Sequence, residues 1–185
     1  MKLTFKSVEA SSESIDEAAK ILKTAFVGLD KDAWLDLENE VKEVLECIED
    51  PNICIGVYDE ANKGELCGWV GLRPLYPKTW ELHPLIVKWE YRKMGVGRRL
   101  ITELEKIAQT KGIIGIVLGT DDETGSTSLS EKEINGNNVF EEIRKIKNLK
   151  NHPYEFYRRC GYTIVGLVPD ANGKGKPDIW MWKRI

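Results

Sequence analysis

The sequence lacks the features that would assign it to several other classes of protein. No apolar stretch approaches the roughly 18 residues that a membrane-spanning helix needs, and the first residues show no apolar core of a secretory signal. The cysteines, Cys47, Cys54, Cys67 and Cys160, are scattered without CxxC spacing, so no disulfide or zinc framework is indicated. These absences predict a cytoplasmic protein with reduced thiols.

Histidine and long runs of like charge are also scarce. The only histidines are His83 and His152, and without an HExxH motif or a Cys/His cluster we predict no metal site. The net charge of −3 disfavours nucleic acid as a partner, and a membrane partner is not expected. The 185 residues, 42% hydrophobic and 31% charged, predict one globular domain over residues 1–185.

Hydrophobic periodicity predicts two helices near the start of the chain. Ser14 to Glu17 has the pattern of a capping box, with Ser14 as the N-cap residue. A second helix is predicted from about Ala33 to Asp50, where Pro51 ends it. The predicted apolar side of this second helix comprises Trp34, Leu37, Val41, Val44, Leu45 and Ile48.

The rest of the chain predicts an α/β fold with a mixed sheet. The strand-like runs Ile53–Tyr58, Leu66–Leu75 and Thr79–Val87 are expected to be antiparallel. A helix over Gly95–Lys111 leads to a buried strand over Ile113–Gly119, a connection that predicts a parallel, right-handed crossover. The later predicted elements are helices at Val139–Ile146 and Pro153–Cys160 and strands at Tyr162–Val168 and Asp178–Lys183. The whole order is β-α-α-β-β-β-α-β-α-α-β-β.

The most informative segment joins the strand that ends at Val87 to the following helix. Arg92-x-x-Gly95-x-Gly97 places a glycine-containing loop at a helix N-terminus, where backbone N–H groups and the helix dipole favour a phosphate. A mononucleotide P-loop is excluded because Arg98 and Arg99 follow Gly97. The dinucleotide fingerprint GxGxxG is absent as well, so another pyrophosphate-bearing ligand is indicated.

This loop resembles the acyl-CoA loop, [QR]xxGx[GA], of the GCN5-related N-acetyltransferases. A second motif agrees: Tyr157 stands four residues before Gly161-Tyr162, which is similar to the late helix of that family. The resemblance covers nearly the whole chain and implies acetyl-CoA as cosubstrate. It also implies a mixed, mostly antiparallel sheet with a splayed parallel central strand pair, flanked by helices.

Five segments between Ile53 and Ile185 look more particularly like the aminoglycoside 6′-N-acetyltransferases of this family. They are WELHP at 80–84, LGTDDE at 118–123, TSLS at 127–130, NHPYEFY at 151–157 and PDANG at 169–173. This likeness implies acetyl transfer to the 6′-amine of an aminoglycoside by direct attack in a ternary complex, hence antibiotic resistance. It also suggests a homodimer. Alternatives are another amine (a polyamine, a small metabolite or a protein N-terminus) and a non-catalytic acyl-CoA-binding module.

The resemblance implies which residues would hold acetyl-CoA. The pantetheine arm would pair with the strand residues Leu85, Ile86 and Val87, and the pyrophosphate would lie against the amides of the glycine loop. The remaining positions assigned to the cosubstrate are Arg92, Lys93, Met94, Gly95, Val96, Gly97, Arg98, Arg99, Asn151 and Tyr154.

The candidate catalytic residues are Tyr157, Glu81 and His83. Tyr157 matches the general acid of the family, which would protonate the departing thiolate. Glu81 and His83 stand two apart in a strand and so share a face, where they would hold the substrate ammonium or relay its proton. Acidic side chains are expected to meet a polycationic acceptor, and the candidates besides Glu81 are Asp121, Asp122, Glu123, Asp170 and Asp178. His152 is expected to be structural.

Overall fold

The structure is a computed structural model that describes residues 1–25 and 37–185. The chain divides into two compact units, Met1–Ile114 with Ile185, and Gly115–Arg184. The predicted helix start at Ala33, with Trp34, lies outside the described residues, as does the side chain of Leu37. Within the described ranges, no helix has the length and apolar character needed to cross a membrane.

The first unit is a four-stranded antiparallel sheet with three helices. Its strands are β1 (Leu3–Ser7), β2 (Ile53–Asp59), β3 (Glu65–Pro74) and β4 (Thr79–Val87), each paired with the next. Its helices are α1 (Ser12–Ala25), α2 (Leu37–Ile48) and α3 (Val96–Thr110). The predicted antiparallel pairing of the three strands after residue 50 is therefore confirmed.

The second unit contains three strands and two short helices. These elements are β5 (Gly115–Asp121), α4 (Val139–Arg144), α5 (Tyr154–Arg159), β6 (Thr163–Val168) and β7 (Asp178–Arg184). Strand β7 lies between β5 and β6 and is antiparallel to both. The order of elements agrees with the prediction along the whole chain. Apart from the start predicted at Ala33, which lies outside the described residues, the predicted segment ends differ from the observed ones by no more than two residues, a difference that is common at the ends of helices and strands.

Trp69 anchors the core of the first unit. Its side chain is completely buried, and its Nε1–H donates to the carbonyl of Ala18 at 3.1 Å, which fixes α1 on the sheet. Leu22 and Val44 belong to the same buried cluster. A buried tryptophan with a satisfied N–H contributes on the order of 3–5 kcal/mol relative to alanine.

Two local predictions about the first helices were wrong. Ser11, not Ser14, caps α1, because the Ser11 hydroxyl accepts from the Ser14 N–H at 3.3 Å and the helix begins at Ser12. On α2, Leu45 is 45% exposed, whereas Val44 and Cys47 are buried. The buried face of α2 therefore contains Val44 and Cys47, which are three residues apart, and Leu45 lies beside that face.

An irregularity in strand β4 prepares the candidate site. Val70 pairs with Leu85, but two residues further along β3 Leu72 pairs with Leu82, so β4 carries an extra residue around His83. A Cβ at Gly71 would lie 2.3 Å from the His83 carbonyl oxygen, so only glycine fits opposite this bulge. Bulges of this kind bend a strand and turn a side chain out of the regular alternation.

Candidate active site

The glycine loop of the first unit has the geometry of an anion site. Gly95 is the N-cap residue of the 15-residue helix α3, with a left-handed φ of 82°, and the first helical bond runs from the Arg99 N–H to the Gly95 carbonyl at 3.1 Å. The N–H groups of Val96, Gly97 and Arg98 therefore precede the helical bonding pattern and point along the helix axis. An anion at this position would receive these donors and the positive end of the helix dipole.

The side chains around the loop favour the same conclusion. The first turn of α3 contains no acidic residue, whereas Arg98 and Arg99 are both exposed there. Cations at a helix N-terminus are unfavourable for the dipole unless an anion lies beside them. Arg99 also stacks over the ring of Phe5 at 5.0 Å. The loop thus concentrates positive charge where a pyrophosphate would be held.

Arg92 contacts the turn that leads into the glycine loop. Its Nε donates to the Val87 carbonyl at 3.0 Å, and its Cζ lies 5.1 Å from the ring centroid of Trp89. These contacts brace the turn between β4 and the glycine loop. Arg92 therefore shapes the loop, and Lys93 and Met94 continue it as exposed residues.

Along β4, the predicted pantetheine strand alternates in burial. Ile86 is buried, whereas Leu85 and Val87 on either side are half-buried. A strand with one half-buried face followed by the glycine loop fits a ligand that carries an extended amide arm and a pyrophosphate. The residues present in the first unit therefore fit acetyl-CoA.

Glu81 and His83 have different partners. Glu81 faces Arg73 across the β3–β4 pair, and the Arg73 Nε lies 2.8 Å from the Glu81 Oε2. The Nε2 atom of His83 lies 3.3 Å from Oε1 of Glu43 on helix α2. The hydrogen bond with His83 is the main reason why the pKa of Glu43 is lowered, although partial burial opposes it. Glu43 is thus an ionised carboxylate beside an imidazole.

Glu43 and Arg73 line a cleft of about 210 Å³ together with His83 and Cys47. Burial raises the pKa of the Cys47 thiol, which keeps it protonated as a donor toward the His83 carbonyl at 3.5 Å. The sequence prediction did not include Glu43 or Arg73. No local pattern identifies them, because both contacts join elements that are distant in sequence.

Tyr157, the predicted general acid, lies on α5 in the second unit and is half-buried. Its ring packs edge-on against Phe156 and Tyr162, with centroids 5.1 and 6.0 Å away. Burial raises the pKa of Tyr157, so its hydroxyl carries a proton at neutral pH. That protonation state is the one a proton donor needs.

The residues before Tyr157 are structural in their contacts. His152 is buried, its Nε2 lies 3.0 Å from the Asp121 carbonyl oxygen, and its Nδ1 accepts from the Tyr154 N–H at 3.2 Å. Burial lowers the pKa of His152, so the ring is neutral with its proton on Nε2. Tyr154 is itself buried, and Asn151 is exposed with a φ of 58°. The side chain of Tyr154 therefore packs within the unit, and its contact with acetyl-CoA stays a prediction.

Two of the predicted substrate carboxylates are engaged by backbone amides. Asp122 is 1% exposed and accepts from the N–H groups of Ser126 and Thr127 at 2.6 and 2.7 Å, and from the Ser130 hydroxyl. Burial alone would raise the pKa of Asp122, but these hydrogen bonds outweigh it and lower the pKa. Asp170 accepts from the Gly175 N–H at 2.6 Å and closes its own turn. Both therefore build loops. Asp122 is too buried to reach a substrate, whereas the exposed Asp170 stays a predicted substrate ligand.

The other acidic residues of the second unit lie nearer the surface. Asp121 is exposed and its Oδ1 accepts from the Asn172 side chain at 2.6 Å, which joins the two segments 118–123 and 169–173. Asp178, opposite Asp121 in the β5–β7 pair, is half-buried, with Oδ2 in the space that a Cβ at Gly119 would need. Glu123 is half-buried.

Comparison with known proteins agrees with this geometry. The model of the acetyltransferase (GNAT) family matches residues 15–132. The chain therefore belongs to the GNAT acetyltransferase family, and the α/β acetyltransferase fold predicted from the sequence is confirmed.

Solved structures and a curated protein show more particular likenesses. An aminoglycoside 6′-N-acetyltransferase crystallised with coenzyme A is 36% identical, with a TM-score of 0.87, 98% of this chain covered and 96% of that one. The aminoglycoside 6′-N-acetyltransferase from Enterococcus faecium is also 36% identical, with a TM-score of 0.85 and the same coverage. "Probable N-acetyltransferase 14" from Xenopus tropicalis is 41% identical over 69 residues, which are 37% of this chain. The chain spans about a third of the length of that curated relative, 32%.

Proposed function

We propose that this protein transfers the acetyl group of acetyl-CoA to the 6′-amine of an aminoglycoside by direct attack in a ternary complex. The observation that carries the proposal is the 36% identity to two aminoglycoside 6′-N-acetyltransferases over 98% of the chain. The glycine loop at the start of α3 supports the cosubstrate, and the acidic side chains support a cationic acceptor.

The first unit contributes the acyl-CoA residues. The N–H groups of Val96, Gly97 and Arg98 hold the pyrophosphate, Arg99 adds positive charge beside it, and β4 pairs with the pantetheine amides through its backbone. When bound, acetyl-CoA supplies the activated acetyl group as a thioester.

Acetyl transfer from the thioester to an ammonium requires three proton movements. The nitrogen loses one proton before it attacks and a second as the amide forms, and the departing thiolate gains one. Tyr157 supplies the proton of the thiolate, because its raised pKa keeps the hydroxyl protonated, and it regains a proton from the nitrogen as the amide forms. Glu81 binds the ammonium form of the amine. It lies on β4 two residues before His83.

The second unit contributes carboxylates that suit a polycation. Asp121 is exposed, and Asp178 and Glu123 are half-buried. We propose these three for the remaining ammonium groups of the acceptor, because local negative charge attracts a polycation even when the net charge of the chain is only −3.

We also propose a cytoplasmic homodimer that confers aminoglycoside resistance. The compartment is supported by the four cysteines, none of which forms a disulfide. The dimer and the resistance follow from the likeness to the drug-modifying acetyltransferases alone. Expression in a susceptible host and sedimentation of the purified protein test these two points separately.

The function is tested by release of the CoA thiol from acetyl-CoA with kanamycin, gentamicin, spermidine or no acceptor. Fast release with both aminoglycosides and slow release with spermidine is the expected result. Fast release with spermidine alone would indicate that the acceptor is a polyamine and not an aminoglycoside. Tight acetyl-CoA binding without release for any amine would indicate a non-catalytic acyl-CoA-binding module.

A further inference from the structure

We propose that Glu43 is a positioning residue for amine deprotonation: its carboxylate accepts the Nε2–H of His83 and leaves the Nδ1 of His83 as the atom that takes the proton. The inference rests on the proposed acetylation of an amine and deepens it, because it names the base and the residue that orients it.

His83 occupies an irregular position in its strand. It lies in the irregular part of β4, where the register against β3 shifts, and its side chain is 35% exposed. Gly71 allows the close approach of β3 at this point, since a Cβ there would lie 2.3 Å from the His83 carbonyl oxygen. The bulge therefore turns the imidazole toward helix α2 and the cleft, with one side of the ring open to solvent.

The His83 ring contacts the carboxylate of Glu43. The Nε2–Oε1 distance is 3.3 Å, and the Glu43 side chain is only 16% exposed. A carboxylate accepts hydrogen bonds and has none to donate while it is ionised, so the nitrogen that faces it carries the hydrogen. The lowered pKa of Glu43, caused first by its hydrogen bond with His83, keeps the carboxylate ionised.

Glu81 and His83 differ in the charge of the side chain that each contacts. The Glu81 carboxylate is paired with Arg73 at 2.8 Å, an arginine that stays protonated at any physiological pH. A carboxylate held by a guanidinium is a poor proton acceptor. The charged and titratable groups around His83 are Glu43, Glu46 and Cys47 from α2, Glu49 after it, Arg73 from β3 and Glu81 from β4. Of these, only Glu43 contacts the ring.

The proton balance is simple. An N–H bond of the substrate ammonium breaks, its proton moves to Nδ1 of His83, and the amine keeps the electron pair with which it attacks the acetyl carbonyl. The ring becomes an imidazolium whose positive charge is offset by the Glu43 carboxylate, and it later returns the proton to solvent. Glu43 itself stays ionised throughout.

The first test reads the tautomer of His83 and needs no turnover. The chain has only two histidines, so ¹⁵N-histidine labelling gives two rings, and His83→Asn assigns them. At a pH where the rings are neutral, we expect His83 to be protonated on Nε2 alone in the wild type and to become a tautomer mixture in Glu43→Ala, which removes the acceptor oxygen. His152, whose proton is fixed on Nε2 by the Asp121 carbonyl, is the internal reference.

Glu46→Ala is the matched control. Glu46 lies one turn further along α2 and pairs with Lys42 at 3.8 Å, so this variant removes the same charge from the same helix without touching the ring. Its His83 tautomer is expected to equal that of the wild type. A wild-type ring protonated on Nδ1, or a tautomer that Glu43→Ala leaves unchanged, would overturn the proposal.

The second test measures kcat/KM for the amine acceptor. We expect a loss of roughly 100-fold in His83→Asn, with removal of the acid limb of the pH profile, and about tenfold in Glu43→Gln. In the His83→Asn background, Glu43→Gln should cost nothing further; an equal cost in both backgrounds would show that Glu43 acts through packing and contradict the proposal. If the wild type acetylates no amine, the proposed function fails, while the tautomer measurement still decides the role of Glu43.

Discussion

Two pairs of carboxylates, one pair in each unit, have different hydrogen-bond partners, although they look alike in the sequence. In the first unit, Glu43 and Glu81 face side chains, an imidazole and a guanidinium, at the edge of a cleft. In the second unit, Asp122 and Asp170 accept hydrogen bonds from the backbone of their own loops. A carboxylate that faces another titratable side chain can take part in chemistry, whereas one saturated by amide donors holds the chain in place.

The largest effect that this comparison predicts is on stability. Asp122→Asn keeps the shape of the side chain but replaces one acceptor oxygen by a donor. Because the N–H groups of Ser126 and Thr127 bind different oxygens of Asp122, one of the two then faces a donor in place of an acceptor. We expect the free energy of unfolding to fall by roughly 3 kcal/mol, measured by urea denaturation. Asp121→Asn, an exposed neighbour, should change it by less than about 0.5 kcal/mol.

The same contact has a signature in pH. Because the pKa of Asp122 is lowered in the folded state, its stabilising contribution is complete above the unfolded value of about 3.9 and is lost as the pH falls through the folded value. The wild type should therefore lose stability in acid more steeply than Asp122→Asn. Parallel acid curves for the two proteins would show that Asp122 is not the responsible group.

The next effect concerns Tyr157, the proposed proton donor in the second unit. Tyr157→Phe removes only the hydroxyl, so kcat should fall by roughly 100-fold while the KM values change little. Tyr162→Phe, which removes the hydroxyl of the ring packed against Tyr157, is the control and should keep most of the activity. An equal loss in both variants would indicate that the aromatic packing, and not proton donation, matters.

A smaller effect separates backbone strain from ligand binding. Gly95 and Gly64 both have a left-handed φ, of 82° and 73°, and a Cβ would meet nothing within 4 Å at either position. Alanine should therefore cost about 1 kcal/mol of stability at each. Only Gly95→Ala should also raise the KM for acetyl-CoA, because Gly95 caps the helix that we propose to hold the pyrophosphate. A raised KM for acetyl-CoA in both variants would indicate that backbone strain, and not a change at the pyrophosphate site, causes the increase.

The smallest effect is on acceptor binding. Asp121→Asn should raise the KM for an aminoglycoside about threefold without changing the KM for acetyl-CoA, since an exposed charge contributes less than about 1 kcal/mol. The increase should shrink at high salt, where exposed charges are screened. A salt-independent change would mean that the hydrogen bond with Asn172 is what was lost.

These predictions show where the sequence was sufficient. Strand β4 was predicted with its observed ends, and the glycine loop was placed at the start of α3, because apolar runs and glycines are local signals. The resemblance to the family also indicated Tyr157 as the candidate proton donor. Glu43 and Arg73 could not be found in this way, since α2 and β3 meet the site only through tertiary packing.

The acidic residues of the second unit illustrate the opposite failure. Asp121 and Asp122 are neighbours, and sequence composition gives them the same expected role. The structure separates them, because Asp121 is exposed whereas the amides at 126 and 127 turn back over Asp122. Whether a carboxylate is saturated by amides depends on the path of the loop, which no local pattern specifies.

The most direct test of the proposed function compares two acceptors that differ at one position. Neomycin carries an amine at its 6′ position where paromomycin carries a hydroxyl, so all other ammonium groups are matched. The account predicts steady release of the CoA thiol from acetyl-CoA with neomycin and none above background with paromomycin. Equal turnover of both would show that another amine is acetylated and would contradict the 6′-amine as the acceptor.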